Sequence, residues 1–153
     1  MFRSLRLAVA VFTIAAVTLG TVSAAMAGGP KVLDARLTGI PTGGLALHGL
    51  TGGGAPWTTD ASRAKLFADG RLEVTIDGLV LVSNGTNPIA TGRAVVTCSS
   101  VAVARSGDVP FAPAGDATVD ATLDLPDTCL APAVFFVGVT ATGAERWLAV
   151  SGF

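Results

Sequence analysis

Alternation is the clearest local signal in this chain. Val119, Ala121, Leu123 and Leu125 alternate with Thr118, Asp120, Thr122 and Asp124. Leu72, Val74 and Ile76 alternate in the same way with Glu73, Thr75 and Asp77. A period of two sends successive side chains to opposite faces, so each run predicts a half-buried antiparallel strand with its polar face in water. Asp69-Gly70 supplies a turn ahead of the second run. Gly78 breaks the alternation and 79–82 is apolar throughout, which predicts a bulge or bend at Gly78.

The same reading places further strands at 32–38, 64–68, 92–104, 134–140 and 146–151. Asn84-Gly85, Asn87-Pro88 and Thr142-Gly143 are the turn signals between them. No segment carries a sustained helical period with caps, and only 59–68 could hold a helical turn. About seven short strands at this spacing predict an all-β chain. The expected architecture is an antiparallel β-sandwich, immunoglobulin-like in general architecture, with a small closed barrel as the alternative. An immunoglobulin domain proper is not supported. Trp57 precedes both cysteines and Trp147 follows both, so the Cys…Trp…Cys order is absent. The Gly-rich stretch 39–56 is the main irregular region, and connections of that length are either functional or loosely ordered.

The N-terminus follows a different pattern. Arg3 and Arg6 precede an apolar run over 7–22, interrupted only by Thr13, Thr18, Gly20 and Thr21, and Ala25-Met26-Ala27 follows. Positive start, apolar middle and small residues at the end are the layout of a secretory signal peptide. The run is short of the roughly 20 apolar residues that a membrane-spanning helix needs. No cysteine follows it to carry a lipid anchor. The expectation is a cleaved signal peptide over 1–27 and a single domain over 28–153, secreted or extracellular. The membrane would be met only transiently, through the leader.

Charge changes with that cleavage. The chain holds ten basic and eleven acidic residues. Losing Arg3 and Arg6 leaves eight against eleven, a net charge of about -3. No basic cluster remains, which argues against nucleic acid as a partner. Cys98 and Cys129 are the only cysteines. In an exported chain of this size they most simply form one disulfide. They are too few and too far apart for a zinc site, and there is no CxxC.

Candidate chemistry is sparse. His48 is the single histidine, there is no tyrosine, and no GxSxG motif exists. Asp116, Asp120 and Asp124 recur every four residues, which in a strand spaces them roughly 13 Å apart. A glycosidase pair sits roughly 5–10 Å apart, so these acids read as a solvated face. Asp108, Asp116 or Asp127 could supply calcium from loops, but nothing matches an EF-hand. Gly52-Gly53-Gly54 lacks the Lys-Ser or Lys-Thr of a phosphate loop. Asn84-Gly85-Thr86 matches the N-glycosylation sequon, though its turn role suffices. Trp57, in the Gly-rich region, is the candidate ligand-binding residue, because a Trp in a loop offers a large rigid face. The other reading has it capping one end of the core. No catalytic residue, metal or cofactor is expected.

Several segments resemble an uncharacterised family of small exported bacterial proteins. They are Asp69-Gly70-Arg71-Leu72-Glu73-Val74, Gly78-Leu79-Val80 and Asn87-Pro88, then Val95-Val96-Thr97-Cys98, Leu125-Pro126, Cys129-Leu130-Ala131-Pro132 and the closing 147–152. Ala35-Arg36-Leu37-Thr38-Gly39 to Asp77-Gly78-Leu79 is also similar to the CHRD domain, an extracellular β domain whose further His-containing segment is missing here. Neither resemblance implies a catalytic residue. The expected function is a non-catalytic binding or structural domain with an unknown cell-surface or extracellular partner. The alternative is an extracellular hydrolase with an unrecognised Asp/Ser site. A third reading is a subunit that pairs through an exposed edge strand, such as the C-terminal one.

Overall fold

The structure, a computed structural model, describes residues 28–152. The leader expected over 1–27 lies outside them, as does Phe153. The described chain is all-β. Its strands are β1 (Lys31–Gly39), β2 (Ala46–Leu47), β3 (Leu50–Thr51), β4 (Trp57–Thr58), β5 (Arg63–Phe67), β6 (Arg71–Ile76) and β7 (Val80–Leu81). Then follow β8 (Thr91–Cys98), β9 (Val101–Arg105), β10 (Val109–Pro110), β11 (Ala117–Thr122), β12 (Ala133–Val139) and β13 (Glu145–Ser151).

The main sheet runs β10-β8-β12-β13-β1-β5-β6-β11, antiparallel at every step, with β9 following β10 along the same edge of β8. Strand β1 belongs to both halves. Leu37, Thr38 and Gly39 face β13, whereas the residues from Lys31 to Arg36 pair with β5. The sheet folds over at this shared strand into the two layers of a sandwich. Alternation decides what lies between them. In β6 the inward set Leu72, Val74 and Ile76 is buried, as are Ala117 and Val119 of the neighbouring β11. They meet Phe136, Leu148 and Val96 of the other layer in one continuous core.

Strands β8, β12 and β13 are buried on both faces, which their near-continuous apolar sequences require. The Gly-rich segment supplies the second cover. It folds β2 and β3 into a hairpin whose two-residue turn, His48-Gly49, has positive φ at both positions (50° and 76°), the geometry of a type I′ turn. Trp147 fastens this cover. Its Nε1–H donates to the Leu45 carbonyl at 2.8 Å, and its own carbonyl accepts from Gly53 N–H at 2.9 Å. Gly52 has to be glycine, because a Cβ there would stand 2.5 Å from the Leu45 carbonyl oxygen.

The structure revises three expectations. The run 92–104 is a hairpin, β8 and β9, turning at Ser99-Ser100, whose φ values are 51° and 65°. Two serines do not advertise such a turn, since neither is the Asn or Gly it favours. The C-terminal strand is not an edge, because β13 lies between β12 and β1. Of the apolar run 79–82 only Val80 and Leu81 pair, with β4, after Gly78 turns the chain at φ 62°. The disulfide forms as expected: Cys98 and Cys129 are bonded, with Cα atoms 5.0 Å apart. Among the described residues no helix is long and apolar enough to cross a membrane.

Candidate functional site

The single histidine sits at the tip of the β2–β3 turn and reaches back to the sheet. His48 Nδ1 lies 2.8 Å from Oγ1 of the fully buried Thr97. That hydroxyl is 3.5 Å from the Ala133 carbonyl, to which it donates. One hydrogen bond thus ties the imidazole to the Thr97 hydroxyl. The ring edge also packs on Phe135, with centroids 5.4 Å apart. Phe135 in turn meets Trp147 edge-on at 5.8 Å. The turn is thus seated on the sheet by a hydrogen bond and an aromatic stack.

Beside this histidine the sheet opens. Below Leu37 the β1 strand leaves β13 for β5, and β13 ends at Ser151. The gap forms a cleft of about 320 Å³. Leu33 and Ala35 line it from β1, Leu47 and His48 from the hairpin, and Val150 from β13; Pro132 closes the far side. No carboxylate is among its lining residues. Two of its residues, His48 and Ala131, hold positive φ without being glycine, at 50° and 44°. Such positions cost of order 1–3 kcal/mol each and gather where a binding or catalytic surface is shaped.

Trp57 occupies different ground. Its indole is 5% exposed, its backbone N–H donates to the Ile40 carbonyl, and its ring stacks on Phe111 with centroids 6.4 Å apart. The side chain is part of the core, and only its edge reaches a cleft of about 400 Å³ between Arg36, Thr38 and Asp60. His48 and Trp57 line separate clefts.

The acids are distributed along the surface. Asp120 and Asp124 are exposed on the outer side of the second layer. Asp116 accepts from Gly78 N–H at 3.1 Å, and Asp108 pairs with Arg93 at 2.6 Å. Arg93 also reaches Glu145 at 3.3 Å, which Arg105 holds from the other side at 3.0 Å. This network lies near a third cleft of about 590 Å³, lined by Asp108, Thr91 and Thr140. Sequence reading missed it, because the members come from four separate segments and only register brings them together. Among the described residues no group of three or more His, Cys, Asp or Glu is arranged to hold a metal ion.

At the N-terminal end of the described chain, Asp69 accepts from Gly29 N–H at 2.8 Å and from Arg71 N–H at 3.1 Å, and these bonds hold its carboxyl below the usual range. Asp34 sits between Arg63 and Lys31 at 2.5 and 2.6 Å. The Arg63 bond first, then Lys31, lowers its pKa to about 2.

Comparison with protein-family models, with curated proteins and with solved structures finds no match in any of the three.

Proposed function

We propose that this chain is a secreted, non-catalytic binding domain acting at the cell surface or in the surrounding medium, with the His48 cleft as its contact site. The observation that carries this reading is the convergence of His48 and Ala131, both in the left-handed backbone region, on one largely apolar recess. A recess of this kind suits a ligand that is gripped by apolar contact and oriented by a few polar groups. The leader pattern over 1–27 and the Cys98–Cys129 bond support the extracellular address, since disulfides persist in oxidising compartments. The resemblance to small exported bacterial proteins supports it too.

A hydrolase built on His48 is the alternative. It would need a nucleophile against the ring and a carboxylate to orient the ring, but the cleft lining is free of acids and its one serine, Ser151, is held by the Val134 N–H at 2.9 Å. Two measurements separate the readings. Intact-mass analysis of the protein from the culture medium should give a chain beginning at Gly28 and lighter by about two protons than its reduced form. Binding to isolated cell-surface material should fall in His48→Ala, with no turnover on ester, peptide or glycoside substrates. A chain retained in the cell with its leader would overturn the address. Turnover lost in His48→Ala would overturn the non-catalytic reading.

A further inference from the structure

The outward faces of three neighbouring strands gather most of the chain's positive charge. Leu37, Ala64, Leu66, Leu72 and Val74 point into the core. By alternation Asp34 and Arg36 of β1, Arg63 and Lys65 of β5, and Arg71 and Glu73 of β6 point outward. Lys31 joins them at the start of β1, where it reaches Asp34 at 2.6 Å. Of the eight Lys and Arg that follow the leader, five stand on this one face. Only two carboxylates stand among them, and each is shared by two cations. Asp34 holds Arg63 as well as Lys31, and Glu73 holds Arg71 at 2.6 Å and Lys65 at 3.2 Å. The face therefore carries three positive charges in excess, on a chain whose net charge after the leader is about -3. Asp69 in the β5–β6 turn and Asp120 of β11 mark its borders.

Register concentrates the excess at one place. Arg36 lies directly opposite Arg63. The neighbouring Leu37 N–H bonds to the Ser62 carbonyl at 3.0 Å, so the two arginines form a non-hydrogen-bonded pair, with the closer of the two side-chain spacings. Like charges set opposite each other in this way are destabilising. Arg63 turns to Asp34, whereas Arg36 has no carboxylate within ion-pair distance among the described residues. Its side chain lines the cleft of about 400 Å³ that the Trp57 edge also reaches. Thr58 and Asp60 line the same cleft, and neither side chain has a hydrogen-bond partner among the described residues.

We propose that this face docks an acidic polysaccharide, with sugar carboxylates on Arg36, Arg63 and Lys65 and one sugar ring in the cleft beside Arg36. The inference goes beyond the binding reading above, because the His48 cleft and this one are separate. A guanidinium fork matches the two oxygens of a carboxylate, and the fork of Arg36 is free. The cleft supplies what the rest of a sugar needs. The Thr58 hydroxyl and the Asp60 carboxylate meet ring hydroxyls, and the apolar edge of Trp57 meets the ring itself. Asp60 also argues against a ligand charged at every position. Beside it a second anion is repelled, whereas a hydroxyl is accepted. A polymer with carboxylates at intervals fits that arrangement better than a nucleic acid or a phospholipid surface does.

The probe is a galacturonic acid hexamer, titrated calorimetrically into the chain. Expected is saturable binding in about 20 mM salt that weakens at least fivefold in about 200 mM salt, as screening of exposed charges requires. The uncharged galactose hexamer should not bind. Arg36→Gln combined with Lys65→Gln should weaken the acidic hexamer at least tenfold. Arg146→Gln should not, since Arg146 lies on β13 of the other layer and bonds only to the Glu145 carbonyl. Should the double variant fail to fold, Arg36→Gln alone decides, because Arg36 has no partner in the fold to lose. No binding at millimolar hexamer, or unchanged affinity in Arg36→Gln, overturns the proposal. Equal or tighter binding of a six-nucleotide oligo-dT, or of phosphatidylglycerol vesicles, overturns it as well, by making a nucleic acid or a membrane the occupant. His48→Ala should bind the hexamer as the parent does. A hexamer that fails to bind, beside cell-surface binding still lost in His48→Ala, would leave the binding function standing and remove this face from it.

Discussion

One buried side chain ties the segment that leads into β8 to the segment that follows β10. Asn87 is 6% exposed. Its amide nitrogen donates to the carbonyls of Ile89 at 2.7 Å and Ala112 at 2.8 Å, and its amide oxygen accepts from Ile89 N–H at 2.8 Å. Its backbone N–H donates to Pro113. Asn87→Ala removes these three short bonds, together with a longer one to the Phe111 carbonyl at 3.4 Å, and strands their backbone partners. At about 1 kcal/mol per bond, the loss should be about 3 kcal/mol. For a domain of this size that is a fall in Tm of about 10 °C. Urea unfolding should show a lower midpoint with an unchanged slope. Asn87→Asp keeps the acceptor but turns a carboxylate toward two carbonyl oxygens. It should be worse than alanine at pH 7 and recover as the carboxyl protonates in acid. A loss under about 1 kcal/mol for Asn87→Ala, or an Asn87→Asp variant equally stable at pH 4 and pH 7, would refute the bridging role.

Other consequences are open to measurement. Replacing Cys98 and Cys129 by alanine together frees a loop with a sequence separation of 31 and should cost about 3.7 kcal/mol by the chain-entropy relation; a loss below about 1 kcal/mol in urea would argue that the segment is held without the bond. Ser100→Gly, at φ 65° in the β8–β9 turn, should raise stability by about 0.5–1 kcal/mol, since glycine takes this conformation without a Cβ clash. Asp34, with its pKa lowered to about 2 from 3.8 by Arg63 and Lys31, stabilises the fold above pH 4 and loses that contribution as pH falls toward 2. Asp34→Asn should therefore be less stable than the parent at pH 6 and level with it near pH 2; a gap independent of pH would sink the assignment.

Strands with alternating or sustained apolar patterns and marked turns were legible in advance. The β6 and β11 alternations, the Asp69-Gly70 turn, the Gly78 bend and the Thr142-Gly143 turn all stand where the residues indicate. What stayed hidden was set by tertiary contact. Ser99-Ser100 turns because Val101 pairs back onto Cys98, not because serine prefers positive φ. The Gly-rich segment looked like a loop because its order comes from Trp147, distant in sequence. Its glycines allow backbone to approach backbone, which a pattern of apolar positions does not record. Trp57 allowed two readings, a binding platform or a cap on the core, and its burial against Phe111 fits the second. The cleft at His48 follows from where β1 changes partners, a property of register that no local motif encodes.

The position of β13 bears on how the chain acquires its shape. Strand β13 is an interior plank, laid between β12 and β1, with Ser151 opposite Leu37. Loop closure of that span is slow, and the halves of the molecule cannot join until it occurs. The two layers therefore reach their final arrangement in one step, and opening β13 breaks two ladders at once, where opening β11 breaks one.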